Sequence, residues 1–268
     1  MNAQASLPRI NGAPARAMYE QPFEERIRTF LRMEQLFDRA RHTASRKGRW
    51  DSFHGAGTIL EILDLLNRGD LRREILKETD GLTGALKRLN NHEGVDPGAL
   101  ENALARLDTI RNALVEGESP GKSLRGHEFL SMVRQRLSMP GGTCGFDLPR
   151  LQAWMELPAA QRLADLEAWL DELAPLESGV TELLALIRES ARPVQESAPG
   201  GLYRHHFNEG GQACRMVQIF LPQGSGMFPE ISGNRQRFTV RFMQLGTLSG
   251  PARPIQEDVD FGIALCQL

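Results

Sequence analysis

Arg237-Phe-Thr-Val-Arg-Phe-Met243 alternates cleanly between two kinds of side chain. Successive residues of a strand point to opposite faces, so Phe238, Val240 and Phe242 share one face and Arg237, Thr239 and Arg241 share the other. This is the pattern of a strand with one side on a core and one side in solvent. Outward from it, residues 202–207, 215–221 and 259–265 read as further strands, and Gly and Pro are frequent from about residue 193 onward.

Upstream the period is helical. Phe23, Ile27, Phe30, Leu31 and Phe37 form a stripe that Met33 and Leu36 widen, enough to pack against more than one neighbour. The basic run 39–49 breaks the pattern and reads as a loop. Ile59, Ile62, Leu63 and Leu66 mark a second helix that ends near Gly69. Asp70 reads as the N-cap of a third, with Leu71, Ile75, Leu82, Leu86 and Leu89 on its apolar side. Asp96-Pro97 opens a fourth, which carries Leu100, Leu104, Leu107 and Leu114. Residues 129–137, a short helix capped by Asp147, and the segments 159–173 and 176–188 complete the helical part.

Helices first and strands last define an α+β chain: a mainly helical N-terminal domain followed by a small antiparallel β-sheet domain. Residues 1–16, rich in Ala, Pro, Gly and Asn, read as a flexible tail. Residues 22–195 form the helical domain and 196–268 the strand domain, with 17–21 a candidate extra strand.

The composition narrows the function. The chain has 268 residues, 41% hydrophobic and 25% charged, as folded proteins do. A net charge of -2 speaks against a protein that coats nucleic acid. Three widely spaced cysteines, Cys144, Cys214 and Cys266, signal neither a zinc site nor a disulfide framework and suit the cytoplasm. No apolar run approaches the ~20 residues that span a bilayer.

No catalytic motif stands up. Gly117-Glu-Ser-Pro-Gly121-Lys-Ser123 has three residues between its glycines where a phosphate loop needs four, and it follows a helix where that loop follows a strand. His127-Glu128 lacks a second His, since position 131 is Ser. His205 and His206 point to opposite faces of a strand, so one metal does not take both. Cys144 has no nearby base and reads as a small buried residue. Gly224-Ser225-Gly226 is too short for a nucleophile elbow. The expectation is a non-enzyme with no cofactor and no metal.

The arginines carry the chemistry instead. Arg outnumbers Lys 28 to 4, a bias that a GC-rich genome produces without function. Yet between Glu230 and Glu257 no acidic residue occurs, while Arg235, Arg237, Arg241 and Arg253 do. Arg237 and Arg241, joined by Arg235 if the chain is extended there, make a row of planar cations suited to an acidic peptide or to phosphates. Single-strand binders interleave aromatics on the basic face for stacking. Here Phe238 and Phe242 lie on the opposite face, so a nucleic-acid-binding protein is the alternative reading.

Four stretches resemble the ZapD family of bacterial cell-division proteins. They are Tyr19-Glu-Gln-Pro-Phe-Glu-Glu-Arg-Ile-Arg-Thr-Phe-Leu-Arg-Met-Glu34; Arg68-Gly-Asp-Leu-Arg72 with Leu76-Lys-Glu78; Val133-Arg-Gln-Arg-Leu-Ser-Met-Pro-Gly-Gly142 with Phe146-Asp-Leu-Pro149; and Phe228-Pro-Glu-Ile-Ser-Gly233 with Arg237 to Met243. The first eighteen residues, 39–49 and 245–254 depart from the family pattern. The resemblance implies a homodimer of a helical plus a β domain. It implies a partner, the tubulin-like GTPase FtsZ, held by its C-terminal tail, and bundling of FtsZ filaments at the midcell division site. The tail-binding residues it points to are Arg237 and Arg241, with Arg235 beside them and Arg68 from the second stretch.

Overall fold

The computed structural model describes residues 16–89, 95–207, 213–247 and 250–268. The chain divides into two compact units, residues 29–186 and residues 16–28 with 187–268. The tail reading for 1–16 falls, but for Arg16, outside the described residues. Apart from one strand at residues 16–22, the helices come first and the antiparallel strands last, so the α+β reading holds.

The helices are α1 (Glu25–Ala44), α2 (Arg49–Arg68), α3 (Leu71–Leu89), α4 (Pro97–Glu116), α5 (Lys122–Arg125), α6 (Glu128–Leu137), α7 (Pro149–Glu156), α8 (Ala159–Asp171) and α9 (Ala174–Glu189). In α1 the buried positions are Ile27, Phe30, Met33, Phe37 and Ala40, spaced three or four apart as one helix face requires. Phe23 precedes this helix and packs on Phe238, 5.6 Å between rings, within the strand unit. The expected caps form at two starts: Asp70 Oδ1 accepts the Arg73 N–H at 3.1 Å, and Asp96 Oδ1 accepts those of Gly98 and Ala99 at 2.9 and 3.3 Å. Asp147 does not cap. Pro149 has no N–H to satisfy and a φ already set for a helix, so α7 begins there with Leu148 before it.

The basic run 39–49 is a loop only over 45–48. α1 continues to Ala44, because its cations find carboxylates on neighbouring helices. Arg39 reaches Glu61 and the Thr58 hydroxyl; Arg41 makes a bidentate pair with Glu177, 2.6 Å at its shortest. Two close approaches set the packing. Gly55 of α2 lets Leu166 of α8 come in, and Gly179 of α9 admits Ile75 of α3, each at 3.1–3.2 Å from where a Cβ would stand. Trp154 sits in the core, its indole N–H on Asp165 at 2.8 Å and its ring 5.5 Å from Phe129.

Arg162 is the cation most deeply committed to this unit, 4% exposed. It donates to the Ser52 hydroxyl and to the carbonyls of Lys47, Met155 and Leu157, tying the start of α2 to the α7–α8 turn.

The strands are β1 (Arg16–Pro22), β2 (Val194–Ala198), β3 (Leu202–His206), β4 (Met216–Pro222), β5 (Met227–Gly233), β6 (Arg237–Gln244), β7 (Arg253–Pro254) and β8 (Val259–Cys266). They form two sheets where the sequence suggests one. The first runs β1-β4-β8-β2; the second runs β3-β6-β5, with β7 added to β6. Val217, Ile219, Leu221, Phe261 and Ile263 of the first meet Phe238, Val240 and Phe242 of the second in one core. The Phe242 and Phe261 rings lie 4.8 Å apart. β2, β5 and β7 escaped the reading by alternation. β2 is exposed along most of its length, and β5 holds Pro229, which an edge strand tolerates because its lost N–H breaks no ladder.

Replacing Arg162 by Met would strand four oxygen acceptors in the interior. We expect a loss of about 3 kcal/mol in urea unfolding. A loss below about 0.5 kcal/mol would show that the network does not hold the turn.

Candidate functional site

The outer face of the β3-β6-β5 sheet follows from the β6 pleat. Phe238, Val240 and Phe242 are buried; Arg237 and Arg241 are exposed. Register then places the neighbours. Across from Arg237 stands His206, across from Thr239 stand Arg204 and Ser232, and across from Arg241 stand Leu202 and Glu230. Directly opposed residues share a face, so Arg204 joins Arg237 and Arg241 there. Arg204 lies on the diagonal to each, roughly 7–8 Å away. Among the described residues none makes an ion pair with Arg204, Arg237 or Arg241.

The hairpin that delivers Arg237 is tightly built. Asn234 Oδ1 accepts the backbone N–H groups of Gln236 and Arg237 at 2.9 and 3.1 Å. Any Cβ at Gly233 would stand 2.4 Å from the Arg237 carbonyl oxygen, so only glycine fits. A hollow of about 160 Å³ opens at this end, lined by His206, Ser232, Gly233, Arg237, Phe238 and Thr239. It is large enough for a carboxylate. A larger hollow of about 400 Å³ lies beyond Gln244, but Glu257, Asp258 and Asp260 line it and give it the wrong sign for an anion.

Arg235 does not continue the row. It sits in the bend before β6, and its guanidinium lies 2.9 Å from Glu24, a carboxylate that also holds Arg215 at 3.0 Å. It keeps 53% side-chain exposure. Arg253 stands opposite Gln244, off the row. Arg68 belongs to the other unit, as the exposed last residue of α2. Its neighbours in the Arg68-Gly-Asp-Leu-Arg72 stretch have structural work: Asp70 caps α3 and Arg72 donates to the Leu114 carbonyl at 2.8 Å. Arg68 has no such tie among the described residues.

Sequence reasoning missed Arg204, because it lies on a strand joined to β6 by no short hairpin; only the β3–β6 pairing brings it in. The other candidates take plain roles. Gly117 ends α4, and Ser123 donates to the Glu172 carboxylate at 2.6 Å. His205 turns inward onto Phe238, 5.3 Å between rings, and burial lowers its pKa; His206 faces out. Among the described residues no cluster of His, Cys, Asp or Glu is placed to hold a metal, and no helix is long and apolar enough to cross a membrane.

An α+β chain with this cationic sheet face is a cell-division protein by its relatives. The family model described as ZapD, cell division protein, matches residues 31–241, a span that ends on Arg241 and includes Arg68, Arg235 and Arg237. The cell division protein ZapD of Methylococcus capsulatus is 36% identical over 255 residues, covering 94% of this chain and 98% of that protein. Those of Shigella dysenteriae and Escherichia coli K12 are each 35% identical over 249 residues, covering 93% of this chain and 98% of theirs. The chain belongs to the ZapD family.

The cysteines divide differently from expectation. Cys144 is exposed, because the turns after α6 carry it away from the core. Cys214 and Cys266 are buried, and desolvation pushes each thiol up to about 12 from an ordinary 9.0. The raised pKa favours the neutral native thiol, so the stability it contributes is intact below pH 9 and falls as pH rises toward 12. At pH 8 we expect Ellman's reagent to titrate one thiol of the folded chain quickly and all three, Cys144, Cys214 and Cys266, in guanidinium. Fast reaction of a second thiol in the folded protein would contradict this burial.

Proposed function

We propose that this protein is a cytoplasmic cell-division adaptor that binds the C-terminal tail of FtsZ. As a homodimer, it crosslinks FtsZ filaments into bundles at the midcell division site. The observation that carries the reading is the solvent-facing pair Arg237 and Arg241, without an ion-pair partner among the described residues, in a chain of the ZapD family. Arg235, held by Glu24 yet half-exposed, borders that pair, and Arg68, exposed at the end of α2, is a separate contact proposed for the same partner. No catalytic step is involved.

The magnitudes set the form of the binding. Exposed ion pairs give only ~0–1 kcal/mol each. Three of them fall well short of the roughly -8 kcal/mol of micromolar affinity. Apolar contacts supply the rest, so affinity weakens with salt without vanishing. The nucleic-acid alternative is less well supported. Phe238 and Phe242 are buried in the core, and the arginine face offers no run of aromatics on which successive bases would stack.

Bridging filaments needs two sites on one particle, which a two-fold dimer supplies. The seam belongs to the helical unit, where Phe146 and Met139, 84% and 50% exposed, stand in the α6–α7 connection. Contiguous apolar patches, not single exposed groups, mark a partner surface, so these two residues are the candidates to test for one.

The decisive experiment is co-sedimentation with FtsZ filaments grown in GTP, using intact and tail-deleted FtsZ. Pelleting with intact filaments alone is the expected result; failure with both would remove the adaptor reading. Arg237→Glu exchanges an attraction for a repulsion and should weaken tail binding roughly tenfold. Unchanged affinity would move the site elsewhere. In a sedimentation dilution series the intact chain should be dimeric at micromolar concentration and Phe146→Asp monomeric. A monomer for the intact chain would end the bridging mechanism.

A further inference from the structure

The outer face of the β3-β6-β5 sheet is graded along β6. At one end stand Arg237 and His206, then Thr239 with Arg204, then Arg241 with Leu202 and Glu230. Two residues further, the same face carries Met243, buried at 8% exposure, and Phe228 stands directly across from it. Phe228 and Leu202 are half-buried and belong to no part of the sandwich core, unlike Met227 and Ile231 beside them. Leu245 follows, 63% exposed. From Arg237 to Met243 is roughly 20 Å at ~3.3 Å per residue, the length of about seven residues of extended peptide.

We propose that this face takes an extended peptide segment that is acidic at one end and carries a large apolar side chain at the other. Its carboxylates lie over the triangle of Arg204, Arg237 and Arg241, and its apolar side chain lies on the half-buried Phe228 and Leu202, beside the buried Met243. The proposal rests on the peptide-binding reading above and deepens it, by assigning Arg204 as a third cation and naming the apolar anchor. Glu230 sharpens the recognition. Standing across from Arg241 on the β5 side, it repels an anion there and leaves the β3 side, where Arg204 waits, as the place for charge. A uniform polyanion would meet both Glu230 and the apolar end, so the face selects against nucleic acid. The gradient fixes which end of the peptide lies where, whichever way its chain runs.

Fluorescence anisotropy on the full chain tests this with three labelled heptapeptides. One has three aspartates at one end and phenylalanine at the other, made in both chain directions. The second replaces the phenylalanine with serine; the third replaces the aspartates with serines. The complete peptide, in its better direction, should bind the unaltered protein about tenfold tighter than either partial one. Phe228→Ser should abolish that advantage over the aspartate-only peptide and leave the latter's affinity unchanged. Arg204→Ser should weaken both acidic peptides about three- to fivefold and spare the third. Equal binding of the complete and aspartate-only peptides to the unaltered protein overturns the anchor, independently of whether any variant folds. If those two peptides are nonetheless sensitive to Arg237→Glu, the tail-binding reading survives that failure. If neither responds to Arg237→Glu, the reading beneath falls as well. An oligothymidylate that binds more tightly than the complete peptide at physiological salt overturns the selectivity.

Discussion

The strand unit depends on the inward row Phe238, Val240 and Phe242. These side chains fill the space between the two sheets and meet Phe261, Val217 and Ile219 there. Because the side-chain period of a strand is two, a slip of one residue in β6 would turn this row outward and carry Arg237 and Arg241 into the core. Burying an unpaired guanidinium costs far more than any surface contact returns. The core therefore fixes the direction of the arginines. The candidate site inherits the facing of its arginines from packing, while the β3–β6 ladder and the Asn234 turn place them along the face.

That dependence explains how much could be read from the sequence. Where one strand carries its own alternation, as β6 does, both faces are legible from the residues alone; β8, a central strand, is instead buried along most of its length. Helix starts were legible where a side chain supplies the cap, at Asp70 and Asp96, and illegible at Pro149, where backbone geometry suffices. The basic run 39–49 misled because periodicity counts apolar residues, whereas the end of α1 is held by ion pairs to Glu61 and Glu177. The site was half legible. Arg237 and Arg241 share a strand, but Arg204 arrives through a pairing between strands far apart in sequence, and Arg235 is diverted by Glu24, some 210 residues earlier. Neither long-range partner leaves a local signal.

The excess of arginine over lysine can now be divided. Many arginines hold the fold: Arg41 on Glu177, Arg106 on Glu182, Arg134 on Asp64, Arg188 on Glu20, Arg215 on Glu24, and Arg162 on backbone carbonyls. The planar fork suits these bidentate and multi-carbonyl roles in a way that an ammonium does not. Arg68, Arg204, Arg237 and Arg241 are exposed and without such ties among the described residues, as are Arg73, Arg88, Arg192 and Arg253. Genome composition accounts for arginine over lysine at all these positions alike. It does not account for the clustering of three untied ones on a single sheet face.

A face of this kind is suited to weak binding, and weakness has a use here. Each exposed guanidinium contributes little, since water and salt compete for it. A single contact with a filament would then open and close rapidly. A filament repeats its binding element at every subunit, so a bivalent particle that releases at one site rebinds at the next, and the second contact benefits from the local concentration that the first creates. Tight monovalent sites would freeze filaments in their first arrangement. Many weak ones hold a bundle together while allowing filaments to slide and exchange. On the proposed function, a shallow, graded sheet face therefore meets the need better than a deep enclosed pocket would, and the modest 160 Å³ hollow at its cationic end is in keeping with that.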